Sequence, residues 1–415
     1  MPMRLFIALL LLFPQSSAFA QDGVTEAMRA QLLDIQRQVM ERRQLDLLAD
    51  APLTFPSGSE LKAFLKRRFQ EDYPPEQLET DLVFLRALDL APPGLDLEAA
   101  LQDFWLTWIG GFYNVIDGSV NIVLRAEDDA DKLTIPQQVI YAHEIVHALQ
   151  DQHFDLERII DDANKEGDRD RRLAMHALFE GDANYIMLDF LRRLNDADPD
   201  AVNRAYSALQ RPNFDPDIPP VIIDVIEFPY RQGYHFIAEL IAALGWEGVN
   251  EALRRNPPQT TEQIYHPQRY LAGEGAMPVS MPDLSEIVGL AWRQAYDGPV
   301  GEFFLRQHLR VHLAEFQADD LASGWGGDRM TVFTNETDDQ LTWVLYQIWD
   351  SPEDAGEFAR GYQHLLERRY RQISDDGRCW VAETTHCIAQ IGEKETRISA
   401  APRAEQALVL LALDD

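Results

Sequence analysis

The chain has 415 residues, enough to bury a large core as two domains or as one large domain with extensions. Its 37 Lys and Arg stand against 69 Asp and Glu, a formal net charge of -32. That balance argues against nucleic acid or an anionic membrane surface as a partner and is more simply a solubility device or an adaptation to salt.

The first twenty residues read as an export signal. A short basic start at Arg4 precedes an apolar run over 5–13, and Ala18-Phe19-Ala20 before Gln21 has the small-x-small form of a cleavage site. The apolar run is too short to span a bilayer and no later stretch is long enough, so the mature chain is expected to lack a membrane span and to work in the periplasm or outside the cell. Cys379 and Cys387, the only cysteines, would then meet an oxidising space. Their spacing permits a disulfide that staples a hairpin, without requiring it, and two free thiols are the alternative.

Taken in order, residues 21–95 read as a helical N-terminal section, with helical periodicity over 24–48, 59–70 and 75–88 ended by Ala91-Pro92-Pro93-Gly94. Residues 96–282 read as the core section. A helix over 97–108 leads into alternating residues on either side of Asp117-Gly118, the signal for a tight β-hairpin over 110–124. A helix over 135–152 follows, with Pro136 in its first turn, and a second over 171–194. The stretch 194–224 is polar and proline-rich, a loop or lid, before a helix that opens at Phe228 and reaches 244. Residues 283–415 read as an α+β section: helices near 285–297, 299–313, 316–322 and 352–369, with strands at 330–333, 340–349, around 380 and at 407–413. The fold class is therefore α+β and predominantly helical, its small sheet presenting an edge hairpin just before the 135–152 helix.

That helix holds His143-Glu144-Ile145-Val146-His147. Residues four apart project from one helix face one turn apart, so the two imidazoles can grip a single metal ion, and zinc fits such a pair best. Glu144 points to the flank of the metal, where it can take a proton from a metal-bound water. The flanking Val139, Ile140, Ile145, Val146, Ala148 and Leu149 are apolar nearly all round, which predicts a buried helix where paired histidines and a glutamate need a reason to be. A catalytic zinc keeps three protein ligands and leaves one position for water. On the 171–194 helix Glu180 is the best third ligand, and His176, one turn earlier, is its competitor. Asp182 and Asn184 are candidates to orient a ligating imidazole; His153 and Asp155 are expected to hold the helix end rather than touch the ion.

With this triad laid out, the chain resembles the gluzincin group of zinc metallopeptidases, in which two histidines come from His-Glu-x-x-His and a glutamate from a later helix. Glu180-Gly181-Asp182-Ala183 is similar to the Asn-Glu-Gly-Phe-Ala ligand motif of aminopeptidase-N-like enzymes, and Pro229-Tyr230-Arg231-Gln232-Gly233 to their Pro-Tyr-Glu-Lys-Gly segment. The resemblance implies a zincin-like core and an oxyanion-stabilising role for Tyr230, with Tyr234, His235 and His266 as rivals. Longer stretches, including Gln263-Ile264-Tyr265-His266-Pro267 and Gly324-Trp325-Gly326-Gly327-Asp328-Arg329, resemble exported bacterial His-Glu-x-x-His proteins that are largely uncharacterised. The Gly-x-Met-Glu-Asn segment that binds a free substrate amine in the aminopeptidases has no upstream counterpart, so aminopeptidase specificity is not supported.

These readings converge on an expectation: an exported zinc-dependent peptidase, acting as an endopeptidase on peptide or protein substrates. His143, His147 and Glu180 would hold Zn²⁺, Glu144 would serve as general base and Tyr230 would steady the oxyanion, while the 110–124 hairpin would pair with extended substrate. Two other functions fit the same residues: a zinc-stabilised peptide-binding or assembly factor without turnover, and a zinc amidase acting on a non-peptide or cell-wall amide.

Overall fold

The computed structural model describes residues 25–115, 117–123, 132–160, 167–208, 218–335, 339–372 and 378–413. The leader-like stretch 1–20 lies outside the described residues, and so does part of the proline-rich 194–224 stretch. Two compact units form, each from several chain segments. The first takes residues up to Pro74 together with Asp96–Gly167 and Arg172–Pro258; the second takes Pro75–Leu95, Asp168–Arg171 and Gln259–Asp415. Among the described residues no helix is long and apolar enough to cross a membrane.

The first unit is built around one helix, Ile135–Phe154. It packs against helices Glu26–Arg43, Pro199–Ala208 and Pro220–Arg254 and against both strands of the predicted hairpin. Its start is fixed by the Thr134 amide, which donates to Gln137 Oε1 at 2.9 Å, and by Pro136, whose missing N–H has no partner to lose there. At the other end Asp155 turns left-handed at φ 61°, and its N–H closes on the Asp151 carbonyl. The His153 ring meets the Asp46 carbonyl at 2.8 Å, which pins the last turn as expected of it.

The hairpin pairs Gly111–Asn114 with Ser119–Ile122, and Gly118 sits at φ 69° in the turn. Strand Leu53–Thr54 adds to the far side of Ser119–Ile122, leaving Gly111–Asn114 as an edge of this three-stranded sheet.

The second unit holds a seven-stranded antiparallel sheet. Its order is Trp292–Gly298, Trp325–Asn335, Leu341–Trp349, Glu395–Ala401, Thr385–Gln390, Cys379–Val381 and Arg371–Gln372. The fold is thus α+β, and its sheet is larger than the strand signals suggest. Residues 292–297, which the sequence reading places at the end of a helix, instead belong to the outer strand Trp292–Gly298, with Tyr296 and Gly298 buried on alternate positions. Of residues 407–413, read as a strand, 407–411 instead belong to a helix, Ala404–Leu411, whose buried Ala407, Leu410 and Leu411 follow helical spacing. Cys379 and Cys387 lie directly opposite one another across two strands and form a disulfide, packed on Ala401, Ala407 and Leu411. The stapled hairpin is therefore real.

Candidate metal centre

Three donors from two helices meet at one point. His143 Nε2 and His147 Nε2 lie 3.1 Å apart; Glu180 Oε2, from helix Arg169–Ala197, lies 3.0 Å from the first and 3.5 Å from the second. Ligands on a tetrahedral zinc at 2.0–2.2 Å stand about 3.4 Å from one another, so the triangle has the dimensions of one face of such a site. His143, His147 and Glu180 could hold a metal ion, and all three are buried. His176 is buried on the same helix as Glu180 but is not among the converging donors.

The electrostatics ask for a cation. Glu144 and Glu180 are 5% and 1% exposed, and no Lys or Arg pairs with either among the described residues. Two carboxylates buried among imidazoles are far more costly than one salt-bridged pair unless positive charge joins them. Burial raises the Glu144 carboxyl above its ordinary range; the two imidazoles and the Tyr113 amide oppose that rise, while Glu180 adds to it. Burial works against a charged His147, but Glu180 and Glu144 outweigh it and push the imidazole up to about 9. Glu180, despite burial, is held well below the carboxylate range by His147 and His143. Burial and the coupling between the two carboxylates and the two imidazoles set all three shifts. A divalent ion on the three donors would supply it.

Close backbone contact brings Tyr230 to this point. Helices Arg169–Ala197 and Pro220–Arg254 touch at Gly181 and Gly233, where a Cβ on Gly181 would fall 2.3 Å from the Gly233 carbonyl carbon and one on Gly233 would fall 2.1 Å from the Ala177 oxygen. No residue but glycine fits either position. Asn184 Nδ2 then donates to the Tyr230 carbonyl at 2.8 Å and fixes the turn that carries it. The Tyr230 ring lies over His143, centroids 5.8 Å apart, and its hydroxyl is within hydrogen-bonding reach of Glu180. Burial, reinforced by Glu180 and Glu144, raises the phenol well above its ordinary value, so it stays a donor. The rivals are elsewhere: Tyr234 accepts from Arg192 and stacks on Tyr185, His235 is exposed, and His266 binds Glu302 in the second unit.

The edge strand reaches the site through its backbone. The Val123 amide pairs with Gly110, so alternation along an antiparallel ladder turns the backbone groups of Phe112 and Asn114 toward the partner strand and those of Gly111 and Tyr113 toward the side where no strand pairs among the described residues; the strand itself is buried. The open Tyr113 amide bonds Glu144, and the Tyr113 hydroxyl donates to Asp151 at 2.9 Å, tying strand to helix.

One participant escaped the sequence. Gln150, fully buried, accepts at Oε1 from His147 Nδ1 at 2.9 Å and donates from Nε2 to the Phe179 carbonyl and to Asp182. The only local signal is an amide three residues after a candidate ligand in a helix apolar nearly all round.

Residues 290–410, within the second unit, match a family model described only as a domain of unknown function, DUF8575. No curated protein matches the sequence. A solved chain from Chloroflexus aurantiacus, described as a "putative hydrolase with a novel fold", is similar at a TM-score of 0.38 and 18% identity, over 61% of this chain and 92% of that one.

Proposed function

We propose that this chain is an exported zinc-dependent peptidase with a zincin-like core, acting on internal bonds of extended peptides. The observation that carries the reading is the pair of buried carboxylates, Glu144 and Glu180, beside two imidazoles in a triangle of zinc dimensions and with no Lys or Arg paired to either among the described residues. The stapled Cys379–Cys387 hairpin suits an oxidising compartment, in line with the leader-like start of the sequence.

Zinc held by His143, His147 and Glu180 would supply a Lewis acid that acidifies a water and polarises a substrate carbonyl. The protein's own groups do the rest. Glu144, beside the ligands, accepts a proton from the attacking water and returns it to the departing amine; its raised affinity for protons suits a group that must do both. The Tyr230 phenol donates to the oxygen that gains negative charge. Substrate adds to the sheet beside Gly111–Asn114 through the outward backbone groups left over by the Tyr113 amide, which already holds Glu144.

The test is to incubate zinc-loaded protein with a mixed peptide library, with and without chelator. Internal cleavage that the chelator abolishes, and that is absent in Glu144→Gln, supports the reading. Retained peptide binding without cleavage points to the assembly factor, and cleavage confined to cell-wall amides points to the amidase; either overturns it.

A further inference from the structure

The two imidazoles are held very differently. His143 Nδ1 is buried with no hydrogen-bond partner among the described residues, and its ring is packed under Tyr230 instead. His147 Nδ1 is bonded to Gln150, and that bond is the first of a series. Gln150 Nε2 faces the Phe179 carbonyl at 3.0 Å and Asp182 Oδ2 at 2.9 Å, both acceptors, so the amide has one sensible orientation and Oε1 must take the His147 Nδ1 proton. Asp182 in turn binds Arg43 Nε at 2.8 Å, and both side chains are completely buried. Arg43 ends helix Glu26–Arg43, donates to Asn250 Oδ1 at 2.9 Å and lies over the Trp246 ring at 4.5 Å.

Resting on the metal-centre reading above, we propose that Gln150 is the positioning residue of the His147 ligand, and that His147–Gln150–Asp182–Arg43 is a buried relay coupling metal binding to the seating of the N-terminal helix. A proton fixed on Nδ1 leaves the Nε2 lone pair bare toward Glu180 and His143, where a ligand is needed. The choice of an amide is chemically pointed. A carboxylate at position 150 would orient the ring as well, but it would place a third negative charge beside Glu144 and Glu180 and would have nothing to donate to Asp182. Glutamine passes on the orientation and keeps the charge one residue further out, where Arg43 neutralises it.

The relay predicts how zinc affinity responds when its polarity is changed. Zinc dissociation constants are measured by competition with a chromophoric chelator on the full mature chain. Gln150→Met, close in volume and unable to accept, is expected to bind zinc about 10–100-fold more weakly than wild type. The swap Gln150→Glu with Asp182→Asn keeps the total charge, the acceptor for His147 and an acceptor for Arg43, but loses the donor to the Phe179 carbonyl and the anion beside Arg43; it is expected to bind more tightly than Gln150→Met and no more tightly than wild type. Hydrogen exchange supplies a second readout: zinc should slow exchange in residues 26–43 of wild type and of the swap, and not of Gln150→Met. A Gln150→Met protein with wild-type affinity, or a swap as weak as Gln150→Met, overturns the relay while leaving the metal centre standing. Should Gln150→Met not fold, the swap decides alone. Wild-type protein that binds no zinc removes the metal centre and the relay with it.

Discussion

Buried acids are common to both units, and the company they keep is not. In the second unit Asp81 binds Arg169 at 2.7 Å, Glu302 binds Arg306 Nε at 2.9 Å, and Asp328 gathers N–H donors from Trp325, Val300 and Gly301. In the first unit Asp182 has Arg43 in the same manner. Glu144 and Glu180 stand apart, meeting imidazoles, a phenol and one backbone amide. A carboxylate with an arginine, or ringed by hydroxyl and N–H donors, is a finished structural element; a carboxylate facing imidazoles and a second acid is what a metal seat would look like. Two acids of this second kind, side by side, set the candidate metal centre apart from the arginine-paired acids.

The contrast is broken most strongly at Glu144. Glu144→Gln is nearly isosteric and removes only the proton acceptor, so zinc content should persist while turnover on a cleaved peptide falls about 10²–10⁴-fold. Arg169→Met tests the other side. It leaves Asp81 buried without its cation and should cost about 3–5 kcal/mol, read as a lower denaturation midpoint that zinc does not restore. Tyr230→Phe retains the ring over His143 and loses the hydroxyl, so kcat should fall about 10²–10³-fold with fold and zinc affinity unchanged.

The smallest effect sharpens the comparison from within the second unit. Arg269 is shared by Glu262, Asp350 and Glu274, and burial, despite Arg269, pushes Glu262 up to about 8. An acid with a raised folded pKa keeps a proton that the unfolded chain releases, so stability should fall as pH rises from the unfolded value near 4.5 toward 8. Comparing urea midpoints at pH 5 and pH 8 should show that loss in wild type, about 2 kcal/mol of it absent in Glu262→Gln.

What the sequence made legible was local. The four-residue spacing of His143 and His147 lies within one helix turn, the Asp117-Gly118 turn sits between its own strands, and Glu180 occurs on a helix of clear period. Tyr230 was reached by its motif neighbours, and the reason its motif ends in glycine became visible only when Gly233 met Gly181. The relay could not be read, because Arg43 and Asp182 are far apart in the chain and nothing near either announces the other. Helix Pro220–Arg254 is longer than the 228–244 span the sequence suggests, because the chain runs helically through Pro229 and departs from helical angles only at Gly245. The apolar end of the chain was ambiguous between strand and helix for a physical reason: a run such as Leu408-Val409-Leu410-Leu411 suits either until burial selects a face.

The central claim is that His143, His147 and Glu180, with no Lys or Arg paired to the carboxylate among the described residues, form the seat of one divalent ion. Its most direct test is the number of zinc ions bound per chain after chelation and reloading, measured by elemental analysis on wild type and on Glu180→Gln. One zinc per wild-type chain, lost in Glu180→Gln, is the predicted result. A wild-type chain that takes up no zinc, or a Glu180→Gln chain that holds it equally well, would contradict the account.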